Sequence, residues 1–280
     1  MGADFLAVIY GLSSAVSWGA GDFSGGLASK RTSVFTVVLI SQVVGILLLI
    51  ASAFAFAEVI PDSNYLVWGA FGGVFGSLGL VALYSALAQS QMGLVAPLSA
   101  VVTAIIPVVF AFLSEGLPKT TQMAGFGIAL VAVWFLSYSG SKNKLVKKEL
   151  VLALSAGIGF GLFFIFIDKA SSEAVMWPLV SARFASLTLL VIIILFRRGV
   201  QKPSIRQIPY IVMAGVFDAG GNALFAMAAH LGRLDVSSVL ASLYPASTVL
   251  LAWLFLKERL HSQQWIGVVA AFSAMVLIAV

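Results

Sequence analysis

The sequence predicts an all-α integral membrane protein in which ten transmembrane helices form two inverted five-helix repeats. Three observations lead to this fold class. The composition is too apolar for a water-soluble surface, ten apolar runs approach or reach the length of a membrane span, and the two halves of the chain resemble each other.

The composition excludes a soluble protein. Of the 280 residues 61% are hydrophobic and only 10% are charged, whereas soluble domains carry roughly 25% charged residues. The chain has no cysteine, which excludes disulfides and thiolate metal sites. Its formal net charge of +5 does not indicate nucleic-acid binding, because basic residues in membrane proteins usually mark loops.

The apolar runs set the order of the predicted helices. A bilayer core of about 30 Å needs roughly 20 apolar residues in a helix. The first run has no basic leader or cleavage site, so we interpret it as a span rather than as a signal peptide. The predicted spans are 5–28, 34–57, 65–88, 94–114, 121–138, 150–170, 178–197, 208–229, 236–256 and 262–280. Short polar segments separate them: SKRTS, EVIPDSN, QSQMG, SEGLPKT, GSKNKLVKKE, ASSEAVMW, RRGVQKPSIRQ, HLGRLD and KERLHSQ.

An internal duplication decides the architecture. Residues 114–133 resemble 257–276, residues 65–77 align with 210–222, and 17–23 align more loosely with 159–165. The repeats are therefore predicted as 1–140 and 141–280, with five spans each. Because five is odd, the second repeat enters the membrane from the opposite face, and inverted repeats of this kind are common in secondary transporters.

The stretch 235–280 resembles the terminal signature of the EamA family of the drug/metabolite transporter superfamily. The residues that match it are Pro245, Glu258, Arg259, Gln264 and Gly267. The corresponding stretch of the first half is similar, although Gly116 replaces the arginine. The early Ser-Trp-Gly and Lys30 also look like the family, so the resemblance covers nearly the whole chain.

The resemblance implies a carrier with a central cavity between the halves that works by alternating access. Its substrates are expected to be small metabolites such as amino acids, commonly exported. We therefore expect a multi-pass protein of the cell (inner or plasma) membrane that is not an enzyme and needs no cofactor. Coupling to a proton gradient or to solute exchange stays open, and so does the choice between monomer and homodimer.

Ionisable groups at bilayer depth are the candidates for the substrate site, because burying charge in hydrocarbon is costly. Asp22 lies one turn after Trp18 in the first span, and Asn222 lies one turn after Asp218 in the eighth, so each pair shares a helix face. A structural role as a polar contact between helices is the alternative for both aspartates. We also expect one of the two carboxylates to change its protonation during the cycle, and we favour Asp218 over Asp22 because it lies nearer the bilayer centre.

Arg183 near the start of the seventh span has two interpretations. Its side chain either reaches the interface along the helix or serves as a counter-ion for Asp22 or Asp218, or for a substrate carboxylate. Its counterpart in the first repeat lies near Gln42. The predicted substrate-binding residues are Trp18, Asp22, Gln42, Tyr84, Arg183, Asp218, Asn222 and Tyr244. We assign structural roles to Glu115, Glu258 and His230, and packing roles to the G-x-x-x-G pairs such as Gly69/Gly73.

Two other functions compete with a carrier. Gly19 to Asp22 spell the G-x-G-D pattern of intramembrane aspartyl proteases. In those proteases this aspartate follows its partner aspartate in the chain, whereas here Asp22 precedes Asp218. The duplication also has no explanation in a protease. Other enzyme motifs (H-E-x-x-H, G-x-S-x-G and the Walker loop) are absent. No selectivity-filter motif is visible, but this absence does not exclude a passive channel, which is kept as an alternative function.

The loop charges and the family resemblance disagree on orientation. Loops after the odd-numbered spans hold Lys30, Arg31, Lys142, Lys144, Lys147, Lys148, Arg197, Arg198, Lys202, Arg206, Lys257 and Arg259. The opposite loops hold Lys119, Lys169 and Arg233. The positive-inside rule then places both termini outside the cytoplasm, whereas the resemblance places them inside.

Overall fold

The computed structural model describes residues 3–89, 92–136, 147–197, 202–256 and 262–279. These residues form eleven α-helices. In chain order they are α1 (Ala3–Ser29), α2 (Val34–Ala55), α3 (Ser63–Gln89), α4 (Met92–Ser114), α5 (Thr120–Leu136), α6 (Lys147–Ala170), α7 (Met176–Arg197), α8 (Ile208–Leu231), α9 (Leu234–Ala241), α10 (Tyr244–Leu256) and α11 (Ser262–Ala279). The predicted repeat boundary after residue 140 falls outside the described residues, as do Lys142, Lys144, Arg198, Lys257, Glu258 and Arg259.

Length and composition support an integral membrane protein. Within the described residues, six helical segments are long and apolar enough to cross a membrane, with mean hydropathies from 1.5 to 2.7. They are Val34–Ala55, Ser63–Ala88, Lys147–Ala170, Met176–Phe196, Ile208–Leu231 and Leu234–Phe255. Three shorter apolar helices are Leu98–Ser114, Thr120–Phe135 and Ser262–Ile278. Although α1 is 27 residues long, it is not among the six.

The ninth predicted span, 236–256, is not one continuous helix. It consists of α9 and α10, which are separated by Ser242 and Leu243. The physical reason is Pro245, which has no N–H to donate to the carbonyl of Ala241 and so interrupts the helical ladder. The turn is closed instead by hydrogen bonds between residues three apart, from Leu243 N–H to Leu240 O at 3.2 Å and from Ala246 N–H to Leu243 O at 2.9 Å. The other predicted spans each overlap one helix.

Each main helix contact between the two halves has a counterpart in which the corresponding helices of the two halves are swapped. In the second half α6, α7 and α8 correspond to α1, α2 and α3, the interrupted α9–α10 corresponds to α4, and α11 corresponds to α5. Accordingly α1 packs on α8 and α3 packs on α6, while α4 packs on α6 and α1 packs on α9 and α10. The contacts of α5 with α11 and of α2 with α7 each join a helix to its own counterpart in the other half. The packing is therefore that of two similar units related by an approximate two-fold exchange.

Glycines bring α3 and α7 into backbone contact. A Cβ atom on Gly69 would collide with the carbonyl of Pro178, and one on Gly73 would collide with the carbonyl of Ala182. Because both obstacles are backbone atoms, they cannot move aside as a flexible side chain would. Small residues at such crossings allow helices to approach closely in membranes, which places α7 near enough for Arg183 to reach the interior.

We expect Gly73→Ala to destabilise the protein, because the added methyl group forces α3 and α7 apart. Overpacking of this kind costs about 1–3 kcal/mol. The matched control is Gly127→Ala in α5, where an added Cβ meets no atom within 4 Å. Thermal unfolding in detergent should show a lower midpoint for Gly73→Ala only. Equal midpoints for the two variants would contradict the packing described for the α3–α7 crossing.

Candidate functional site

A central cavity lies between the two halves and is lined by residues of α1, α2, α3, α4, α6, α7, α8 and α10. The space that protein atoms leave empty there, including its open part, measures about 630 Å³. The centre of a water-sized sphere can occupy about 50 Å³ of that space. A single water needs roughly 10–15 Å³ on the latter measure. In this conformation the cavity therefore has room for a few waters or a small solute.

Seven of the eight predicted site residues line this cavity. They are Trp18, Asp22, Gln42, Arg183, Asp218, Asn222 and Tyr244. The eighth, Tyr84, does not. Its ring packs against Gly25, and its hydroxyl donates to the carbonyl of Gly21 at 3.3 Å, so that it supports α1 from behind.

A buried ion pair crosses the cavity wall. The Nη2 atom of Arg183 lies 2.8 Å from Oδ2 of Asp218, and the two side chains are 6% and 15% exposed. Nη1 of the same guanidinium donates to Oε1 of Gln42. The arginine on α7 thus forms an ion pair with a carboxylate on α8 and donates to an amide oxygen on α2, which offsets a charge that would otherwise be costly at this depth. Of its two predicted roles, Arg183 takes that of a counter-ion, and it pairs with Asp218.

An aromatic wall borders the cavity: Trp18, Phe163 and Phe164 line it, and Phe225 packs against Phe164. The indole of Trp18 stacks on Phe164 with ring centroids 5.4 Å apart, and Phe164 stacks on Phe225 at 4.2 Å. Nε1–H of Trp18 donates to Oδ1 of Asn222 at 2.9 Å. This bond fixes the indole plane and connects α1 of the first half to α8 of the second.

Asp22 differs from Asp218 in having no partner. Its side chain is buried, with the residue 8% exposed, and it faces the cavity. Among the described residues, none forms a hydrogen bond or an ion pair with its carboxylate. α1 and α8 nearly touch beside it, since a Cβ on Gly21 would lie 3.3 Å from the backbone nitrogen of Asp218. The two carboxylates therefore belong to one site, but only one of them is neutralised by a cation.

Residues that the sequence alignment pairs between the halves line the same cavity. The pairs are Trp18 with Phe160, Asp22 with Phe164, Gly73 with Asp218, Ser77 with Asn222 and, in near register, Gln42 with Arg183. Phe160, Phe163, Phe164 and Ser77 were not predicted as site residues, because aromatic and small residues in an apolar run are ordinary in lipid-facing helices. The alignment of 17–23 with 159–165 contained the signal, since it gives Phe160 the repeat position of the predicted site residue Trp18.

The comparisons with known proteins identify the family. The sequence model of the EamA-like transporter family matches this chain twice, over residues 5–138 and 147–280. This chain belongs to the EamA-like transporter family. Its two matches correspond to the two units seen in the packing, so the repeats of this transporter are EamA repeats.

Two individual relatives add to this result. An uncharacterized protein of Methanocaldococcus jannaschii is 29% identical over 135 residues, which are 48% of this EamA-family chain and 97% of that protein. That relative therefore has about the length of a single repeat. A crystal structure with 17% sequence identity is similar at a TM-score of 0.74, and the similarity covers 97% of this chain and 95% of that one. At this identity the second similarity concerns the fold alone.

Polar contacts join the two EamA repeats at the face where α1 begins. The Glu58 carboxylate, after α2, accepts hydrogen bonds from three backbone N–H groups at the start of α7, those of Val175, Met176 and Trp177, at 2.8, 2.8 and 2.9 Å. A carboxylate is favourable there, because it satisfies free N–H groups and the helix dipole. Sequence reasoning missed this contact, since nothing in a loop glutamate identifies a distant helix as its partner.

Arg233, before α9, makes the second contact at this face. Its Nη2 lies 2.8 Å from Oδ2 of the buried Asp235 and donates to the carbonyl of Gly116 at 2.7 Å. Glu115 lies 3.9 Å from its Nε. Burial raises the pKa of the Glu115 carboxyl, Asp235 adds to that rise, and Arg233 opposes it. Since Glu115 and Gly116 follow α4, this cluster connects the first repeat to the second on one side of the cavity.

We expect Arg183→Gln to destabilise the protein by about 3 kcal/mol, because it leaves the Asp218 carboxylate without its counter-charge. The double variant Arg183→Gln/Asp218→Asn should recover most of that loss, since both charges are then removed. The measurement is thermal or denaturant unfolding in detergent, with the exposed Arg206→Gln as the control for losing a cation. A double variant as unstable as the single one would mean that the ion pair is not what holds Arg183 in the structure.

Proposed function

We propose that this chain is a secondary active transporter, an exporter or exchanger of small metabolites such as amino acids, in the cell (inner or plasma) membrane. The observation that supports this best is the central cavity, which both halves line at repeat-equivalent positions and which contains Asp22, Arg183 and Asp218. Binding sites of secondary transporters typically lie at the repeat interface near the middle of the bilayer.

The proposed topology has ten spans in two inverted five-helix repeats, residues 1–140 and 141–280. It counts α1 as a span and takes α9 and α10 together as the ninth. The exchange of helix pairs between the halves supports it, and so does the single-repeat length of the Methanocaldococcus relative. A broken helix is tolerated at bilayer depth where its free backbone groups face protein or a cavity.

Alternating access is the proposed mechanism. In the described conformation the aromatic wall and the Arg233 cluster both make contacts between the two halves. Transport requires these contacts to separate while contacts on the opposite side close. Such motions occur by rocking of one repeat against the other around a fixed site. At Gly69 and Gly73 the α3–α7 contact is made without intervening side chains on α3, which suits movement of one helix along the other.

The energy source is proposed to be an ion gradient or an exchanged solute. The sequence contains no Walker loop for ATP. Asp22 is the candidate for proton coupling, since its carboxylate faces the cavity without a partner. Asp218, which the sequence favoured for this role, is the weaker candidate because it is already paired with Arg183.

The protease alternative loses support from the same ion pair. An aspartyl protease needs two carboxylates that share one proton. Here Asp218 pairs with Arg183 at 2.8 Å and not with Asp22. With Arg183 beside Asp218, the two aspartates do not form the carboxylate pair that this chemistry needs.

The test of the transport proposal is counterflow in vesicles that contain the purified protein. We expect saturable exchange of at least one small metabolite, without ATP, and we expect Asn222→Ala to slow it because Trp18 then loses its acceptor. The control is Asn64→Ala, at an exposed position near the start of α3. An imposed pH gradient separates proton coupling from solute exchange. Flux that rises linearly with concentration, with no counterflow, would instead indicate a passive channel.

A further inference from the structure

The charges that line the central cavity do not balance. Of the described residues that line it, Asp22, Asp218 and Arg183 carry charged side chains. The guanidinium of Arg183 is bound by Asp218 at 2.8 Å and by the amide oxygen of Gln42. One carboxylate, that of Asp22, is left with no cation.

We infer that the substrate is a small organic cation, a protonated amine whose ammonium group pairs with Asp22. The inference rests on the proposed transport function and narrows its substrate class. An unpaired buried carboxylate is unfavourable, and an ammonium that donates to it supplies the missing charge and the missing hydrogen bonds together. Asp22 is 8% exposed and faces the cavity, so a solute there can reach its carboxylate.

The walls around Asp22 fit the rest of such a molecule. Trp18 lies one turn from Asp22 on the same helix, and Phe164 occupies the repeat-equivalent position on α6. Phe160 and Phe163 add further rings to the lining. Aromatic faces attract cations through their quadrupole, and the rings also accept an aliphatic or aromatic body. The cavity thus combines one anionic group with an apolar, π-rich surface.

The same geometry disfavours a substrate carboxylate. The only cation among the described lining residues, Arg183, is already paired with Asp218 and donates to Gln42. A substrate carboxylate would have to displace Asp218 or Gln42, and it would add a negative charge beside two aspartates. A zwitterion neutralises Asp22 but brings its own anion, and an acid brings only the anion. The expected order of affinity is therefore amine, then amino acid, then acid.

Three ligands with one carbon skeleton test this order. Isoamylamine, L-leucine and 4-methylpentanoate share an isopentyl chain and differ in charge, and titration calorimetry with the detergent-solubilised full chain gives their affinities. We expect the amine to bind about ten-fold tighter than leucine or better, the effect of one charged hydrogen bond, and the acid to bind most weakly. Leucine or the acid binding as tightly as the amine, or no amine binding at millimolar concentration, would overturn the inference.

Variants of Asp22 assign the effect to its carboxylate. Asp22→Asn should weaken isoamylamine binding about ten-fold or more and leave leucine closer to its original affinity, whereas Asp22→Glu should keep the preference for the amine. The exposed Asp62→Asn is the control. Unchanged amine binding in Asp22→Asn would refute the role of Asp22. If that variant does not fold, Asp22→Glu and the ligand series on the unaltered chain still decide.

Counterflow in vesicles separates this inference from the transport proposal. Saturable exchange of leucine or of the acid, without competition by isoamylamine, would leave the transporter standing and reject the amine class. Amine binding that depends on Asp22, with no exchange of any solute, would keep the binding site and reject transport. Exchange that isoamylamine inhibits in the unaltered chain but not in Asp22→Asn is the result that we expect.

Discussion

The Arg183–Asp218 ion pair is the interaction on which the rest of the site depends. A guanidinium at this depth is tolerated only when it has a counter-charge and polar partners. Here the counter-charge comes from α8 in its own half, and an amide oxygen comes from α2 in the other half. The ion pair therefore holds α7 and α8 together, and the hydrogen bond from Arg183 to Gln42 connects them to the first repeat. The ion pair also uses up the only cation among the described lining residues, which is why Asp22 stays unpaired and gives the cavity its chemical character.

The duplication explains where the site residues lie but not what they are. Five pairs of aligned residues face one cavity, yet each half contributes different chemistry. The first half supplies Trp18, Asp22 and Gln42, and the second supplies Arg183, Asp218 and Asn222. An exactly symmetric cavity would bind a solute equally well in two orientations. Divergence of the halves gives a site with one unpaired carboxylate beside an ion pair, and such an asymmetric site can distinguish the two ends of its ligand.

Much of the fold and of the site was predictable from the sequence, because the bilayer imposes simple rules. Span length and the cost of buried charge were enough to locate the helices and to select Asp22, Arg183 and Asp218. The rules fail where the outcome depends on contacts between distant segments. They did not separate Tyr84, which supports α1 from behind, from Tyr244, which faces the cavity, and they did not pair Glu58 with the start of α7. The break at Pro245 was readable from the residue itself, yet the apolar run around it favoured a single span.

The central claim is that one cavity between the two repeats is reached in turn from both faces of the membrane. The chain contains no cysteine, so Ser77→Cys places a single thiol among the cavity residues and Ser172→Cys, in an exposed position after α6, serves as the reference. The measurement is the rate of labelling by a membrane-impermeant thiol reagent, in sealed vesicles of each orientation. Alternating access predicts that the thiol at position 77 reacts from both faces and the thiol at position 172 from one. Reaction of the thiol at 77 from a single face, under conditions that support exchange, would contradict the account.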